Sequence, residues 1–168
     1  MLKQHHHFCF LYAIFFCPRG RLIFSYSQYK SNQMKFRQLG KTGVLLSELC
    51  FGTMTFGGKG YWKAIGHLLE DEVTQLVKTA LDNGINFFDT ANAYSDGLAE
   101  TLFGKALKNI GISHQTIFVA TKVRLRMGEG ANQVGLSKLH IHDSVDNSLM
   151  RLGLSHIDAA SSSSPMRS

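Results

Sequence analysis

Three side chains with complementary acid–base chemistry occur at regular spacing in the middle of the sequence. The stretch FFDTANAYSDG runs from an apolar segment into Asp89 and then to Tyr94, and Lys122 ends the segment FVATK, 33 residues after Asp89. A phenol is a weak proton donor at neutral pH, and a neighbouring ammonium favours the phenolate, which eases proton release. A carboxylate would keep that ammonium charged and oriented. The trio therefore suits a general acid that protonates an oxygen while a carbonyl is attacked.

Each of the three residues also fits a purely structural role. An aspartate before Thr-Ala-Asn fits a loop cap, a tyrosine in a polar loop fits surface packing, and a lysine at a strand end fits a solvated charge. The chemistry requires that folding brings all three together. The surrounding elements decide whether it does.

Those elements alternate between helix-like and strand-like patterns. Apolar residues at i, i+3, i+4 and i+7 predict helices over 71–81 and 98–108. Ser137 fits the N-cap of a third helix that stops at Gly153. That helix is expected to bury one face, made of Ile141, Val145, Leu149 and Leu152. Two apolar stretches within 34–48 predict a short hairpin before the first of these helices.

Four residues mark the expected carboxyl ends of successive strands. Gly52, Asp89, Lys122 and Asp158 are separated by 37, 33 and 36 residues, the length of one βα unit. Strands joined by helices pair in parallel, so these ends should share one rim, which in a (β/α)8 barrel carries the active site. The sequence therefore predicts an α/β fold that supplies the first three to four βα units of a TIM barrel, with Asp89 and Lys122 within reach of each other.

Composition argues against several classes of function. Residues 1–33 hold four of the six net positive charges, and the remainder has no basic run that could follow a phosphate backbone, so we expect no nucleic-acid binding. The apolar run near the start is about half as long as a membrane span requires. Three cysteines without CxxC spacing indicate neither a disulfide framework nor a zinc site, and they fit a cytoplasmic location. The adjacent histidines at 5–7 have no further ligands at site-forming spacing, so we expect no metal.

The motifs together resemble the aldo-keto reductase family, in the branch that includes potassium-channel β-subunits. The similar stretches are RQLGKTGVLLSELCFGTMTFGG, GINFFDTANAYSDGLAETLFGKALK, FVATKV and GLSKLHIHDSVDNSLMRLGLSHID. The resemblance runs from Met34 to Asp158. It marks residues 1–33 as an extension outside the family, whether an incorrectly assigned start, a signal-like segment or a disordered one.

The resemblance implies NADPH-dependent reduction of aldehydes or ketones on a TIM barrel, without a metal. Asp89 matches the family's catalytic aspartate, Tyr94 its proton-donating tyrosine and Lys122 the lysine that assists the tyrosine. The loop after the first barrel strand, which lies against the cofactor in the family, is matched by Gly52, Thr53 and Met54, and Asp89 also matches a cofactor contact. A GxGxxG motif is not expected, since the family does not hold NADPH on a Rossmann unit.

The sequence departs from the family after Asp158. The family's catalytic histidine, an asparagine in channel β-subunits, is matched here by Ser163. A barrel takes about 250 residues, so we expect residues 34–158 to be its N-terminal half, the Ser-rich segment 159–168 to be disordered, and the chain neither to bind NADPH tightly nor to reduce carbonyls. The alternatives are a non-catalytic module that senses nucleotide or binds a partner, and a non-functional gene fragment.

Overall fold

The computed structural model describes residues 34–162, in which a small hairpin precedes one parallel sheet. The hairpin joins Phe36–Gln38 (β1) to Leu45–Ser47 (β2) in antiparallel pairing, as the sequence predicts. The sheet has the order β3-β4-β5-β6, and every neighbouring pair is parallel. Its strands are Cys50–Gly52 (β3), Phe87–Asp89 (β4), Phe118–Val123 (β5) and Ala159–Ser162 (β6).

Three α-helices connect these strands. Glu70–Asp82 (α1) lies between β3 and β4, Leu98–Ile110 (α2) between β4 and β5, and Lys138–Leu152 (α3) between β5 and β6. Short 3-10 helices cover Gly60–Ala64, Tyr94–Gly97 and His114–Thr116. Parallel strands in sequential order with helical crossovers are the repeating unit of the TIM barrel, so the predicted fold class is confirmed for this part of the chain.

The core lies between the sheet and the first two helices. Phe88 is fully buried on β4 and packs on Phe103 of α2, with ring centroids 5.1 Å apart. Val73 and Val77 of α1 are also fully buried, on the face that the i, i+4 spacing predicts. Each fully buried aliphatic or aromatic side chain contributes about 1.5–3 kcal/mol. This packing fixes the two strands that carry Asp89 and Lys122.

The third helix begins and ends where the sequence predicts, but it buries a different face. The Ser137 hydroxyl accepts from the His140 backbone N–H at 3.2 Å, and Gly153 ends the helix with φ +65°. The predicted residues Ile141, Val145 and Leu149 are only half-buried, while His140, Ser144 and Ser148 are buried together with Leu152. Small side chains are needed there because α3 approaches α2 closely: a Cβ at Gly104 would lie 2.4 Å from the Leu152 carbonyl oxygen.

Two expectations about the end of the sequence were wrong. Asp158 does not close a strand, because β6 begins one residue later at Ala159. Residues Ala159–Ser162 are not disordered but pair with β5, from Ala120↔Ala159 to Val123↔Ser162. A ladder is made by backbone groups, so small Ala and Ser side chains permit it even without an apolar pattern. Ser163 and residues 1–33 lie outside the described residues. Within 34–162, no helix combines the length and apolar character that crossing a bilayer requires.

Candidate active site

The candidate site lies at the carboxyl ends of β4 and β5. Asp89 is the last residue of β4 and pairs in register with Ala120 on β5. Lys122 stands two residues beyond Ala120 and therefore on the same face of the sheet. The strand register alone thus directs the carboxylate and the ammonium to the same rim, as the spacing in the sequence predicts.

Lys122 joins the three predicted residues into one cluster. Its Nζ donates to Asp89 Oδ2 at 2.5 Å, to the Thr90 carbonyl oxygen at 2.9 Å and to Tyr94 Oη at 3.2 Å. The same Nζ lies 4.9 Å from the centre of the Tyr94 ring. All three donor positions of the ammonium are used, so its charge is held beside the phenol oxygen.

The loop that carries Tyr94 is built to present the ring at this rim. Tyr94 opens a 3-10 turn in which Ser95 and Asp96 adopt left-handed φ values of +50° and +55°. The buried Ser95 hydroxyl donates to the Phe56 carbonyl oxygen at 2.7 Å and so fastens the turn to the loop after β3. Trp62 packs edge-on against Tyr94, with ring centroids 5.0 Å apart, and donates from Nε1 to the Ala93 carbonyl oxygen at 2.7 Å.

The charges at the rim are partly shielded from water. The Lys122 and Asp89 side chains are 21% and 32% exposed, so their interaction is stronger than that of a fully solvated pair. The same surroundings act on the thiol of Cys50, at the start of β3. The pKa of Cys50 is raised from 9.0 to about 12: burial is the largest cause, the negative charge of Asp89 also raises it, and Lys122 opposes both.

The three residues predicted to form the cofactor loop differ in how deeply they are buried. Gly52 is exposed at the end of β3, and a Cβ there would meet no atom of the described residues within 4 Å apart from its own chain neighbours. Thr53 is fully buried, and its hydroxyl donates to the Thr90 hydroxyl at 2.8 Å. Met54 is half-buried. The open space at the rim is therefore next to Gly52, whereas the Thr53 side chain joins β3 to the end of β4.

Three residues at or near the candidate site were not predicted from the sequence. The Thr90 carbonyl oxygen binds Lys122, and a signal existed, because Thr90 directly follows the strand end. Trp62 lies in an irregular stretch without periodic pattern, so nothing in the sequence pointed to its contact with Tyr94. Asn92 is 1% exposed, and neither polar atom of its side chain has a partner within residues 34–162.

A buried ion pair supports β5 from behind. Glu100 on α2 is fully buried, accepts from the Thr121 hydroxyl at 2.6 Å and from Arg151 Nε on α3 at 2.7 Å. Arg151 also donates to the Ser148 hydroxyl at 3.1 Å. Because Thr121 precedes Lys122, this pair fixes the strand on the side opposite the ammonium.

Comparison with known protein families agrees with this geometry. The profile described as "Aldo/keto reductase family" matches residues 48–168. The chain belongs to the aldo/keto reductase family. That span includes β3 to β6 and each residue of the Asp89–Tyr94–Lys122 cluster.

Individual members of the family are longer than this chain. A candidate aryl-alcohol dehydrogenase of Schizosaccharomyces pombe is 38% identical in an alignment 136 positions long, which covers 68% of this chain and 39% of the relative. A candidate voltage-gated potassium channel subunit beta of Arabidopsis thaliana is 34% identical over 126 residues, 74% of this chain and 36% of the relative. A solved holo form of an aldo-keto reductase from Bacillus halodurans is 37% identical, with a TM-score of 0.62, over 77% of this chain and 40% of that one. The chain thus spans about two-fifths of the length of these family members.

Proposed function

We propose that Asp89, Tyr94 and Lys122 form the proton-donating part of an NADPH-dependent carbonyl reductase site, with Tyr94 as the general acid. The observation that carries the proposal is the Lys122 ammonium, which contacts both the Asp89 carboxylate and the Tyr94 hydroxyl at the carboxyl rim of the strands. Aldehydes and ketones are the substrate class, because their reduction creates an oxygen that needs a proton.

Each residue has a distinct part in this proposal. Tyr94 donates its hydroxyl proton to the carbonyl oxygen of the substrate. Lys122 stabilises the phenolate that remains, since its positive charge lies 3.2 Å from the phenol oxygen. Asp89 acts through Lys122: its carboxylate holds the ammonium in position and compensates its charge. Asp89 and Lys122 are therefore positioning and electrostatic partners of one acid.

The described rim fits the reacting end of the cofactor. NADPH, when bound, supplies the hydride that attacks the carbonyl carbon. The open space beside Gly52 leaves room for a flat ring, with Met54 half-buried next in the chain. The Thr53 side chain supports the rim beneath this space, because its hydroxyl is bound to Thr90. In the longer family members, the part of the barrel beyond the region that this chain covers would complete cofactor binding and select the substrate.

The test uses a chimeric barrel in which residues 34–162 replace the matching segment of the Bacillus halodurans reductase. Tyr94→Phe in this chimera should lower kcat/KM for an aldehyde by about 10²–10⁴-fold, the usual contribution of a general acid. The dissociation constant for NADPH should stay nearly unchanged, because the ring remains.

The matched control is Tyr61→Phe, which removes a hydroxyl from a tyrosine that is 73% exposed nearby. Its turnover should equal that of the unsubstituted chimera. Full turnover in Tyr94→Phe, with folding verified by circular dichroism, would show that Tyr94 is not the acid.

A second candidate function is a nucleotide-sensing or partner-binding module without turnover. Its support is the similarity to potassium channel β-subunits of Arabidopsis thaliana and Oryza sativa, at 34% and 33% identity. Ser163 in place of a histidine also favours it over catalysis. A chimera extended by one residue to include Ser163 that binds NADPH tightly, yet reduces no carbonyl even when Tyr94 and Lys122 are intact, would favour this function.

A further inference from the structure

A second polar cluster lies at the opposite end of the sheet. His114 opens the 3-10 helix before β5, and His156 and Asp158 belong to the irregular segment before β6. Each residue offers one ligand atom, and these three atoms all lie within 4.8 Å of one another. We call these three residues the N-terminal cluster, because they stand at the amino ends of β5 and β6, on the opposite side of the sheet from the rim that carries Asp89 and Lys122.

The carboxylate of this cluster is fixed from two sides. Asp158 Oδ2 accepts from the Val119 backbone N–H at 2.8 Å, and the Asp158 backbone N–H donates to the Val119 carbonyl oxygen at 3.1 Å. Metal sites use such outer bonds to orient their ligands before the ion arrives. Asp158 therefore has the fixed geometry of a prepared ligand.

Both imidazoles face that carboxylate. His114 Nε2 lies 3.0 Å from Asp158 Oδ2, and His156 Nε2 lies 3.8 Å from Asp158 Oδ1. The two rings stack with their centroids 3.9 Å apart. His114 Nδ1 is buried and has no partner among the described residues. Because Nδ1 points away from the Nε2 that faces Asp158, this unpartnered atom is a place for a water that orients the ring rather than for the ion itself.

We propose that His114, His156 and Asp158 bind a divalent transition metal, with Zn²⁺ as the best match. Two imidazoles and one carboxylate suit zinc, whereas Ca²⁺ and Mg²⁺ select oxygen ligands. Zinc ligands lie about 2.0–2.2 Å from the ion, so the cluster has to contract slightly. His156 can make that movement, because its side chain is 57% exposed, while the other two ligands stay in place.

This site departs from the expectation of no metal, and the reason is topological. His114 and His156 are 42 residues apart, so no short ligand motif exists in the sequence. Folding brings them together because they precede neighbouring parallel strands. An ion bound here would fasten the start of β6 to the start of β5 and would stabilise the folded chain by mass action.

The experiment titrates Zn²⁺ into the full 168-residue chain by calorimetry. The background carries His5→Ala, His6→Ala and His7→Ala, because that histidine triplet can bind metal by itself. In this background we expect one equivalent of Zn²⁺ to bind. Zinc in excess should raise the melting temperature by about 5 °C.

The matched pair of variants is His156→Ala and His142→Ala, since His142 is an exposed histidine on α3, outside the cluster. His156→Ala should weaken zinc binding by at least about tenfold, the scale of losses seen even for outer-shell partners. His142→Ala should bind like the background. Equal affinities in the two variants would overturn the proposal and leave the cluster as a hydrogen-bonded latch only.

Co²⁺ gives a readout that does not depend on any variant in the cluster. A four-coordinate site of this kind should give Co²⁺ intense visible absorption, which added Zn²⁺ should abolish. Absence of that absorption in the folded background would contradict the proposal. If His156→Ala does not fold, His156→Gln replaces it and should weaken zinc binding in the same way, because an amide is a poor zinc ligand; unchanged affinity in this variant would overturn the proposal.

Discussion

The two ends of strand β5 use polar side chains in opposite ways. At the carboxyl end, Lys122 projects from the strand, and its largely buried side chain brings the ammonium into contact with Asp89 and Tyr94. At the amino end, Asp158 turns back onto the backbone of Val119 and holds the next strand in place. The first arrangement leaves a phenol hydroxyl at an open rim. In the second arrangement, the carboxylate joins two strands.

The difference follows from the direction of the chain in parallel sheets. Loops at the carboxyl ends can vary without disturbing strand pairing, so barrel enzymes place chemistry there, whereas the amino ends serve stability. In this protein the same division separates the Asp89–Tyr94–Lys122 cluster from the N-terminal cluster. Substitutions at the carboxyl end should therefore lower the activity, whereas substitutions at the amino end should lower the stability.

The largest effect is expected from the buried ion pair that supports β5 from behind. Arg151→Met leaves the fully buried Glu100 carboxylate without its cationic partner. Removing one member of a buried pair costs about 3–5 kcal/mol of unfolding free energy, and urea denaturation of the chimera measures it. The double substitution Arg151→Met with Glu100→Gln should recover part of that loss. No recovery would mean that the charge of Glu100 is not the cause.

A smaller effect, confined to the carboxyl end, is expected from Lys122→Met. Loss of the ammonium removes the charge beside the phenol, so kcat/KM of the chimera should fall by about 10²-fold. The control is Lys108→Met on the exposed side of α2, which should leave kinetics unchanged. Equal rates in both variants would separate Lys122 from the chemistry.

Asp158→Ala should affect the amino end alone. It removes the acceptor of the Val119 N–H and the partner of His114, at a cost of about 1–3 kcal/mol of unfolding free energy in the presence of a chelator. The NADPH dissociation constant and kcat of the chimera should not change at a temperature where it remains folded. A selective loss of kcat would contradict the division between the two ends.

The smallest expected effect is a change in the chemistry of Cys50. Its pKa of about 12, above the ordinary 9.0, keeps the thiol protonated, so alkylation in a Cys9→Ser, Cys17→Ser background should stay slow at pH 9. Since the folded-state pKa is the higher one, this group's contribution to stability is present below about pH 9 and is lost as pH rises towards 12. Asp89→Asn removes a negative charge and should speed alkylation. Unchanged labelling would mean that Asp89 does not act on Cys50.

Much of the carboxyl rim could be predicted from the sequence, because regular spacing and parallel pairing determine it. Asp89 and Lys122 end apolar segments one βα unit apart, and the fold brings them into contact. Their catalytic roles stay predictions, as does that of Tyr94. Trp62 was not predictable, since it lies in the short 3-10 helix Gly60–Ala64, whose position depends on tertiary contacts.

The region after α3 was predicted less well, for a physical reason. Strand β6 consists of Ala and Ser residues, which carry no alternating apolar pattern, so the sequence predicts a fourth strand but places it too early, ending at Asp158. Placing Asp158 at the wrong end of that strand followed from the same lack of signal. The buried face of α3 was also missed, because close approach at Gly104 selects small residues such as Ser148 over apolar ones.

We propose that Lys122 and Tyr94 act as one proton-donating unit. A double-mutant cycle on kcat/KM in the chimera, with Lys122→Met and Tyr94→Phe singly and together, measures their coupling. The double variant should lose no more activity than Tyr94→Phe alone, because the ammonium serves only the phenol. Losses that multiply would show instead that the two side chains act independently.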